Sequence, residues 1–330
     1  MPVETAQLTA TDPLRVIEGG RLWLRGSGLP VPTTQEELCT LGGRRARTLF
    51  AAPDRMAVEV PYGLDGGVTD LKLPWIPGAT LFVDIGAPIA TGFHQVDNPV
   101  VDQDGRIYVT YSGARGQQAA VSVFRVARGG PREAFVSGIV NATSMAFGPD
   151  GRLYVSSRFD GTVYRVFDDG RYEVAASDLG LACGLAFAPD GTLLVGDRSG
   201  SVFHLDGNGR SSVLATLPAS VAAFHVAMGP DDHLYLTGPT LGSYDCVYRI
   251  GMDGGIETID KTFGRPQGLA FDGAGVLHVV EALAGVSGVY ALPSGAAKEL
   301  VVSGPRLVGL AFGPGSRLVV ATSDTLYSFG

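Results

Sequence analysis

The sequence lacks the features that several common protein classes require. Its 330 residues include only three cysteines, Cys39, Cys183 and Cys246, and none belongs to a CxxC pair. Three widely spaced thiols argue against a disulfide framework and a zinc ribbon, and they predict free cysteines in a reducing compartment. No apolar run approaches the roughly 20 residues that a membrane-spanning helix needs.

Basic clusters and familiar catalytic motifs are also missing. The chain carries 25 Lys and Arg against 33 Asp and Glu, a net charge of −8 without blocks of one sign, which argues against a nucleic-acid groove. No GxSxG, HExxH, P-loop or Rossmann pattern occurs, which excludes serine-hydrolase, zincin and nucleotide-binding interpretations at the level of motifs. The N-terminal segment contains Glu4 and no apolar core, so no secretory signal is expected and the cytoplasm is the default location.

What the chain has in abundance is glycine, with 47 residues, and an imperfect repeat. The unit NATSMAFGPDGRLYVSSRFDGTVYRV (residues 141–166) contains a run of small and apolar residues, a Pro-Asp-Gly turn, an alternating strand, a second turn and a strand with a Val-aromatic pair. Further copies occupy residues 98–126, 183–205, 225–250, 267–292 and 308–329. Their spacing of roughly 40 to 46 residues is typical of four-stranded propeller blades.

The two ends of the chain are predicted to close the ring. Residues 88–92 align with the last strand of the other repeats, whereas residues 308–329 supply only three strands. Pairing the two segments would remove the exposed edges of an open ring. We therefore expect an all-β fold in which residues 77–330 form a six-bladed propeller, with five complete blades and one shared between the chain ends.

Small residues at the start of each repeat are predicted to face the crowded axis of this propeller. Gly184, Gly268 and Gly309 occupy such positions. The large residues that alternate with them, such as Leu185 and Leu310, are expected to fill the gaps between blades.

A separate small domain is predicted for residues 1–76, ordered from about residue 10. The segments DPLRVIEGGRLWLRGSGLP (residues 12–30) and LGGRRARTLFAAPDRMAVEVPYGLDGGVTDLKL (residues 41–73) alternate short strands with Gly, Pro and Asp turns. These motifs resemble IPT/TIG domains, which are immunoglobulin-like sandwiches. The resemblance implies a role in packing or interaction rather than in chemistry.

The repeats themselves resemble six-bladed NHL and SMP-30/gluconolactonase-like propellers. In the lactonase group this resemblance implies one divalent cation, such as Ca²⁺, at the mouth of the channel, held by a Glu, two Asn and an Asp. The matching positions here are Asp97, Thr143, Cys183 and Phe224. Only Asp97 matches a family ligand, and a calcium site needs six to eight oxygens. We therefore expect the family metal site to be degenerate and assign no metal ligand beyond Asp97.

The loops at this mouth supply the candidate catalytic residues. His94 and His225 are candidate general bases and Asp97 is the candidate carboxylate that orients one of them, because imidazole exchanges protons near neutral pH. The alternative is that each histidine fills the channel through hydrogen bonds. Cys183 is either a nucleophile beside His225 or a small buried hydrophobic residue.

Several further polar residues at the mouth are predicted to bind a ligand, because loops of many blades converge there. They are Asn98, Asn141, Arg158, Asp197, Arg265, Gln267 and Glu281. Arg158 with Asp160, and Arg198 with Asp197, occupy matching positions in neighbouring repeats. They predict a ring of surface ion pairs, or else anchors for a carboxylate or phosphate.

Two functions from different classes follow. The first is a propeller that binds a small molecule or a protein partner at the mouth. The second is a hydrolase or lyase that acts on a small lactone or ester with a His-carboxylate pair at the same place. Neither requires nucleic acid or a membrane.

Overall fold

The computed structural model describes residues 6–31, 39–76, 78–206 and 209–330. Within these ranges every regular element is a β-strand except one 3-10 turn at Pro314–Ser316. The short alternating segments between Gly and Pro turns account for this, since neither helical periodicity nor long uninterrupted runs occur. No helix in the described part of the chain is long and apolar enough to cross a membrane.

The N-terminal part of the chain forms eight strands. They are β1 (Gln7–Asp12), β2 (Arg15–Val16), β3 (Arg21–Ser27), β4 (Cys39–Leu41), β5 (Arg44–Ala52), β6 (Arg55–Glu59), β7 (Gly67–Lys72) and β8 (Thr80–Ile85). In β3, Leu22 and Leu24 are buried while Arg21 and Arg25 are exposed, the alternation expected of a half-buried strand. The buried side chains of these strands form a hydrophobic cluster of their own.

This N-terminal sheet extends past residue 76, where we expected it to end. Strand β8 pairs with β7 along its whole length, from Thr80 opposite Lys72 to Ile85 opposite Gly67. Val83 and Ile85 belong to the N-terminal hydrophobic cluster. Residues 1–5 and 32–38 of the predicted N-terminal domain, and residue 77 at the start of the predicted propeller, lie outside the described residues.

The remainder of the chain is arranged as a β-propeller. Its first two sheets are β10 (Val100–Val101), β11 (Ile107–Thr110), β12 (Val123–Val126) and β13 (Arg132–Val136), then β14 (Ala142–Phe147), β15 (Leu153–Ser157), β16 (Thr162–Val166) and β17 (Tyr172–Ala176). The next two are β18 (Ala182–Phe187), β19 (Leu193–Asp197), β20 (Ser201–Leu205) and β21 (Ser211–Thr216), then β22 (His225–Met228), β23 (Leu234–Thr237), β24 (Asp245–Ile250) and β25 (Ile256–Phe263).

The last separate sheet joins both ends of the propeller sequence. It contains β30 (Leu307–Gly313), β31 (Arg317–Thr322), β32 (Thr325–Ser328) and β9 (Ala87–Thr91), in that order. Strand β9 pairs antiparallel with β32, with Thr91 opposite Thr325 and Ala90 opposite Leu326. The predicted pairing of the two segments is therefore confirmed.

The structure contains five separate four-stranded sheets in the described residues rather than the six we predicted. The remaining strands are β26 (Pro266–Phe271), β27 (Leu277–Glu281), β28 (Gly288–Leu292) and β29 (Glu299–Ser303). They pair in antiparallel order but are continuous with the N-terminal strands in one 12-stranded sheet. The physical reason is β2, which bonds in parallel to β29 on one side and to β8 on the other, and thereby covers an otherwise open sheet edge.

The first strands of the repeats contact one another in a closed cycle, β10–β14–β18–β22–β26–β30 and back to β10. Glycine is required where they approach most closely. A Cβ on Gly268 would lie 2.1 Å from Asn98 Oδ1, and one on Gly309 would lie 2.6 Å from the Asp97 carbonyl oxygen. Asn98 fills this space, donating from Nδ2 to the Leu269 carbonyl at 2.8 Å and accepting from the Leu310 amide at 3.0 Å.

Candidate functional site

A buried histidine and aspartate meet at the centre of the propeller. Asp97 lies three residues before the start of β10, and His225 is the first residue of β22. His225 Nδ1 lies 2.6 Å from Asp97 Oδ1, with side chains 0% and 3% exposed. Because β10 and β22 are three steps apart in either direction around the cycle of first strands, this bond crosses its centre. The His94 ring instead packs edge-on against Tyr111, with centroids 6.0 Å apart, so Asp97 orients His225 and not His94.

The second nitrogen of this histidine has no partner. Nε2 of His225 is buried and makes no hydrogen bond within the described residues. A polar atom left unsatisfied in the interior costs about 1–3 kcal/mol. The arrangement is that of an imidazole oriented by a carboxylate with its other nitrogen free, as general-base chemistry requires. The imidazole is nevertheless fully buried, so a substrate would reach Nε2 only after the structure opens.

Gln95 fixes the carboxylate end of the pair. Its Nε2 donates to the Asp97 carbonyl at 2.6 Å, and its Oε1 accepts from the amide of Thr110 at 2.8 Å and from the hydroxyl of Thr110 at 3.0 Å. Gln95 is 1% exposed. Gln95 was not among the predicted site residues, although a glutamine that directly follows His94 and lies two residues before the candidate carboxylate could have been a signal.

The positions implied by the family metal site do not suit a calcium ion. The Thr143 hydroxyl donates to the Asn141 carbonyl at 2.8 Å, and Phe224 is a fully buried apolar side chain. Burial raises the pKa of the Cys183 thiol to about 11, and a protonated thiol is a poor ligand for a hard cation. Among the described residues, no group of three His, Cys, Asp or Glu side chains converges as a metal site would. We therefore derive no chemistry through a metal.

Three predicted ligand-binding residues hold the loops of the mouth. Asn141 donates to the carbonyls of Ser112 at 2.5 Å and Ala114 at 2.9 Å, and its Oδ1 accepts from the Gly116 amide at 2.7 Å. These three bonds satisfy the Asn141 amide and fix the loop that follows β11. A direct contact between Asn141 and a ligand remains a prediction.

Asp197 and Glu281 also hold loops of the mouth by hydrogen bonds to the backbone. They occupy matching positions, each at the end of the second strand of its sheet. Asp197 accepts from the Leu181 amide at 2.8 Å. Glu281 accepts from three backbone amides at 2.6–2.8 Å, one of them that of Arg265. The carboxylates thus replace water as partners of otherwise unpaired amides.

The other predicted ligand-binding residues are dispersed. Asn98 is engaged between the first strands, as described above. The Arg265 side chain is exposed, and Gln267 is buried with 9% of its surface accessible. The structure does not bring these residues together with Arg158.

Arg158 instead lies in a small cavity at the mouth. The cavity has a volume of about 140 Å³ and is lined by Arg115, Asn141, Arg158, Leu181 and Arg198. The predicted ring of ion pairs is wrong: within the described residues neither Arg158 nor Arg198 pairs with a carboxylate. Arg198 donates to the carbonyls of Ser220 at 3.2 Å and Val221 at 3.1 Å, and Asp160 accepts from the Tyr164 hydroxyl at 2.8 Å.

The electrostatics of this cavity are dominated by positive charge. Burial lowers the pKa of the Arg158 guanidinium, and the neighbouring charges of Arg198 and Arg115 lower it further. A guanidinium nevertheless stays protonated at neutral pH.

Two larger cavities lie away from the mouth. One of about 810 Å³ is at the opposite end of the propeller between the first two sheets, and includes Asp102, Arg106 and Phe147. Another of about 340 Å³ lies between the N-terminal strands and the β28–β29 region, and includes Trp23 and Tyr290. Neither contains a residue that we predicted for the site.

Comparison with solved structures shows that several other proteins share this fold. No protein-family profile and no curated protein sequence matches the chain. A solved protein assigned as a gluconolactonase is 18% identical, with a TM-score of 0.60 over 74% of this chain and 91% of its own. An auxiliary nutrient-binding protein from Bacteroides ovatus is 12% identical, with a TM-score of 0.57 over 99% and 98% of the two chains.

A catalytically inactive His-to-Ala variant of virginiamycin B lyase from Staphylococcus aureus, solved with quinupristin, is also similar. It is 13% identical, with a TM-score of 0.53 over 98% of each chain. At these identities the similarity establishes a shared β-propeller fold and leaves the activity open.

Proposed function

We propose that this protein is a propeller that binds a small molecule at its mouth, in the cavity lined by Arg115, Asn141, Arg158, Leu181 and Arg198. The observation that carries the proposal is the cavity itself. It brings together loops from three neighbouring sheets, and two of its lining residues were predicted to bind a ligand from the sequence alone. The nutrient-binding relative in fold is consistent with such a role.

A screen of neutral and anionic metabolites by thermal shift, followed by calorimetry, tests this function. Leu181→Trp should abolish binding of any hit, because the indole would fill most of a cavity of about 140 Å³. Val174→Trp is the matched control, since Val174 is 61% exposed on the outer strand β17. A hit that binds Leu181→Trp as tightly as the wild type would place the ligand elsewhere. If only a protein partner is captured at this face, the small-molecule proposal fails.

A second candidate is a hydrolase or lyase that acts on a small lactone or ester. The geometry that favours it is the 2.6 Å contact between His225 Nδ1 and Asp97 Oδ1, with Nε2 unpartnered. In this mechanism Nε2 removes a proton from water or from the substrate, and Asp97 stabilises the resulting imidazolium.

His225→Asn separates this role from a structural one. The asparagine amide can still donate to Asp97, whereas the atom that would act as base is gone. If the protein is such an enzyme, wild-type turnover of a lactone or ester should fall about 10²–10⁴-fold in the variant while the melting temperature changes little. Undiminished turnover in the folded variant would eliminate the histidine mechanism.

We also propose a finer description of the architecture. Strands β26–β29 are the sixth blade, because they have the antiparallel order of the other sheets and β26 lies between β22 and β30 in the cycle of first strands. The N-terminal strands are an IPT/TIG-like sandwich, supported by their separate hydrophobic cluster, and their role is packing or interaction.

A further inference from the structure

The three arginines of the cavity at the mouth come from consecutive sheets, and two of them occupy equivalent places. Arg158 directly follows β15 and Arg198 directly follows β19, while Arg115 lies in the loop after β11. The residues that follow the second strand in the other repeats carry no charge: they are Gly238, Ala282 and Ser323. Positive charge is therefore concentrated on one side of the mouth.

No described carboxylate neutralises the guanidinium groups of this cavity, and hydrogen bonds hold one of these groups and the loop that carries another. Two backbone carbonyls accept hydrogen bonds from Arg198, and the side chain of Asn141 fixes the loop that carries Arg115. Arg158 makes no hydrogen bond or ion pair with any described residue, although it is half-buried. The cavity thus presents positive charge together with guanidinium N–H groups that remain available to a ligand.

Nearby carboxylates are occupied elsewhere. Asp197 accepts from the amides of Leu181 and Ser199, Asp160 from the Tyr164 hydroxyl, and Asp97 faces His225. Like charges that converge in a partly buried site repel one another more strongly than in water. An anion in the cavity would remove this repulsion and supply the acceptors that the guanidinium groups lack.

We infer that the cavity binds a small doubly charged oxyanion, namely the phosphate or dicarboxylate group of a metabolite, held by Arg115, Arg158 and Arg198. The inference rests on the proposed function and assigns the chemical class of its ligand. Arginine suits phosphate and carboxylate because its planar fork donates two parallel hydrogen bonds. With about 140 Å³, the cavity is smaller than the roughly 300–1,000 Å³ of drug-sized ligand sites, so it encloses the charged group and leaves the rest of the metabolite at the mouth.

Isothermal titration calorimetry of the full chain at pH 7.5 and low ionic strength tests this assignment. The probes are inorganic phosphate and malonate, which represent the two sources of the charge, with acetate as the singly charged comparison. We expect phosphate or malonate to bind at least tenfold more tightly than acetate. Added sodium chloride should weaken the binding, because it competes with the ligand and screens the charges.

Substitutions at Arg158 locate the binding site. Arg158→Gln should weaken binding of the dianion about tenfold or more, as expected for the loss of a charge-assisted hydrogen bond. Arg158→Lys keeps the charge without the fork and should fall between Gln and the wild type. Arg171→Gln is the control, because Arg171 is an exposed arginine at a turn outside the mouth, with its side chain 82% accessible.

Each outcome decides the inference. Dianion binding that is unchanged in folded Arg158→Gln, or equally reduced in Arg171→Gln, would overturn it as nonspecific charge attraction. If neutral metabolites bind in a Leu181-dependent manner and neither phosphate nor malonate does at millimolar concentration, the anion assignment fails while the proposed function stands. If no small molecule binds, both fail.

Discussion

At the scale of single residues, burial decides which groups can react. Desolvation raises the pKa of Cys183 to about 11 and that of Cys39 to about 12. A raised pKa keeps the thiol protonated, so at pH 8 Cys183 is not a thiolate, the reactive species. A hydrogen bond with the Phe224 backbone and the charge of Arg158 lower the pKa of Cys183, but burial outweighs them. Burial therefore argues against Cys183 as a nucleophile and favours the alternative interpretation, a small buried hydrophobic residue.

This difference between the thiols can be measured. In native protein at pH 8, a colorimetric thiol reagent should modify Cys246, which is partly exposed, and leave the buried Cys39 and Cys183 unmodified. All three should react in denaturant. Cys246→Ser is expected to remove the fast phase, and a second fast-reacting thiol in that variant would contradict the burial of Cys183.

At the scale of secondary-structure elements, the packing of the propeller depends on how closely the first strand of each sheet approaches the axis. Alternating residues of these strands have opposite tasks. Leu269 and Leu310 fill separate hydrophobic clusters between the sheets, whereas Gly268 and Gly309 face Asn98. One short strand can fill the core between sheets with one face and pack closely at the axis with the other, because successive side chains point to opposite faces.

A single methyl group on this inner face should destabilise the protein. In Gly268→Ala the new Cβ would lie 2.1 Å from Asn98 Oδ1 and 2.8 Å from the Gly309 Cα, so backbone and side chain must shift. We expect a loss of about 1–3 kcal/mol in the free energy of unfolding, as for other overpacked cores, measured by urea denaturation.

Gly273→Ala provides the comparison for this experiment. A Cβ at Gly273 meets only Ser316 Oγ at 3.8 Å, and the change in stability should stay within about 0.5 kcal/mol. Equal effects of the two substitutions would show that the first strands are not tightly packed at the axis.

At the scale of the whole molecule, two strand pairings between distant parts of the sequence hold the structure together. Strand β9 completes the sheet of β30–β32, and β2 links the N-terminal strands to β29. Both contacts satisfy sheet edges that would otherwise expose unpaired amides and carbonyls. The ring and the N-terminal strands are thus joined by hydrogen-bonded pairing in addition to the polypeptide.

Closure can be tested with an engineered disulfide. Thr91 and Thr325 are opposite each other in the β9–β32 pair, where Cβ atoms lie about 4.5–5.5 Å apart. In a Cys246→Ser background, Thr91→Cys with Thr325→Cys should oxidise to an intramolecular disulfide that changes the mobility on a non-reducing gel.

The register of the same pair supplies a control for the disulfide. Ala87 lies opposite Ser328, not Thr325, so Ala87→Cys with Thr325→Cys should oxidise poorly under the same conditions. Efficient cross-linking of both pairs would contradict the register, and cross-linking of neither would contradict closure.

Local regularities of the chain were sufficient to predict much of this structure. The spacing of the repeats, their Pro-Asp-Gly turns and their alternating strands predicted an all-β propeller, and the shortened last repeat predicted the pairing of residues 88–92 with the C-terminal strands. These properties depend on turn residues and on a side-chain period of two, which operate over a few residues and are therefore visible in the sequence. The sequence also suggested that His225 and Asp97 act together, and the structure brings these two side chains into contact, while their role in catalysis stays a prediction.

Only the tertiary structure decided which of these residues meet. His225 and Asp97 are 128 positions apart in the chain, and their contact, in preference to His94, depends on which strands oppose each other across the axis. The pairing of β2 with β29, the extension of the N-terminal sheet to β8 and the convergence of Arg115, Arg158 and Arg198 on one cavity have the same origin. Such contacts depend on how whole sheets are placed relative to one another, and no short segment of the sequence carries that information.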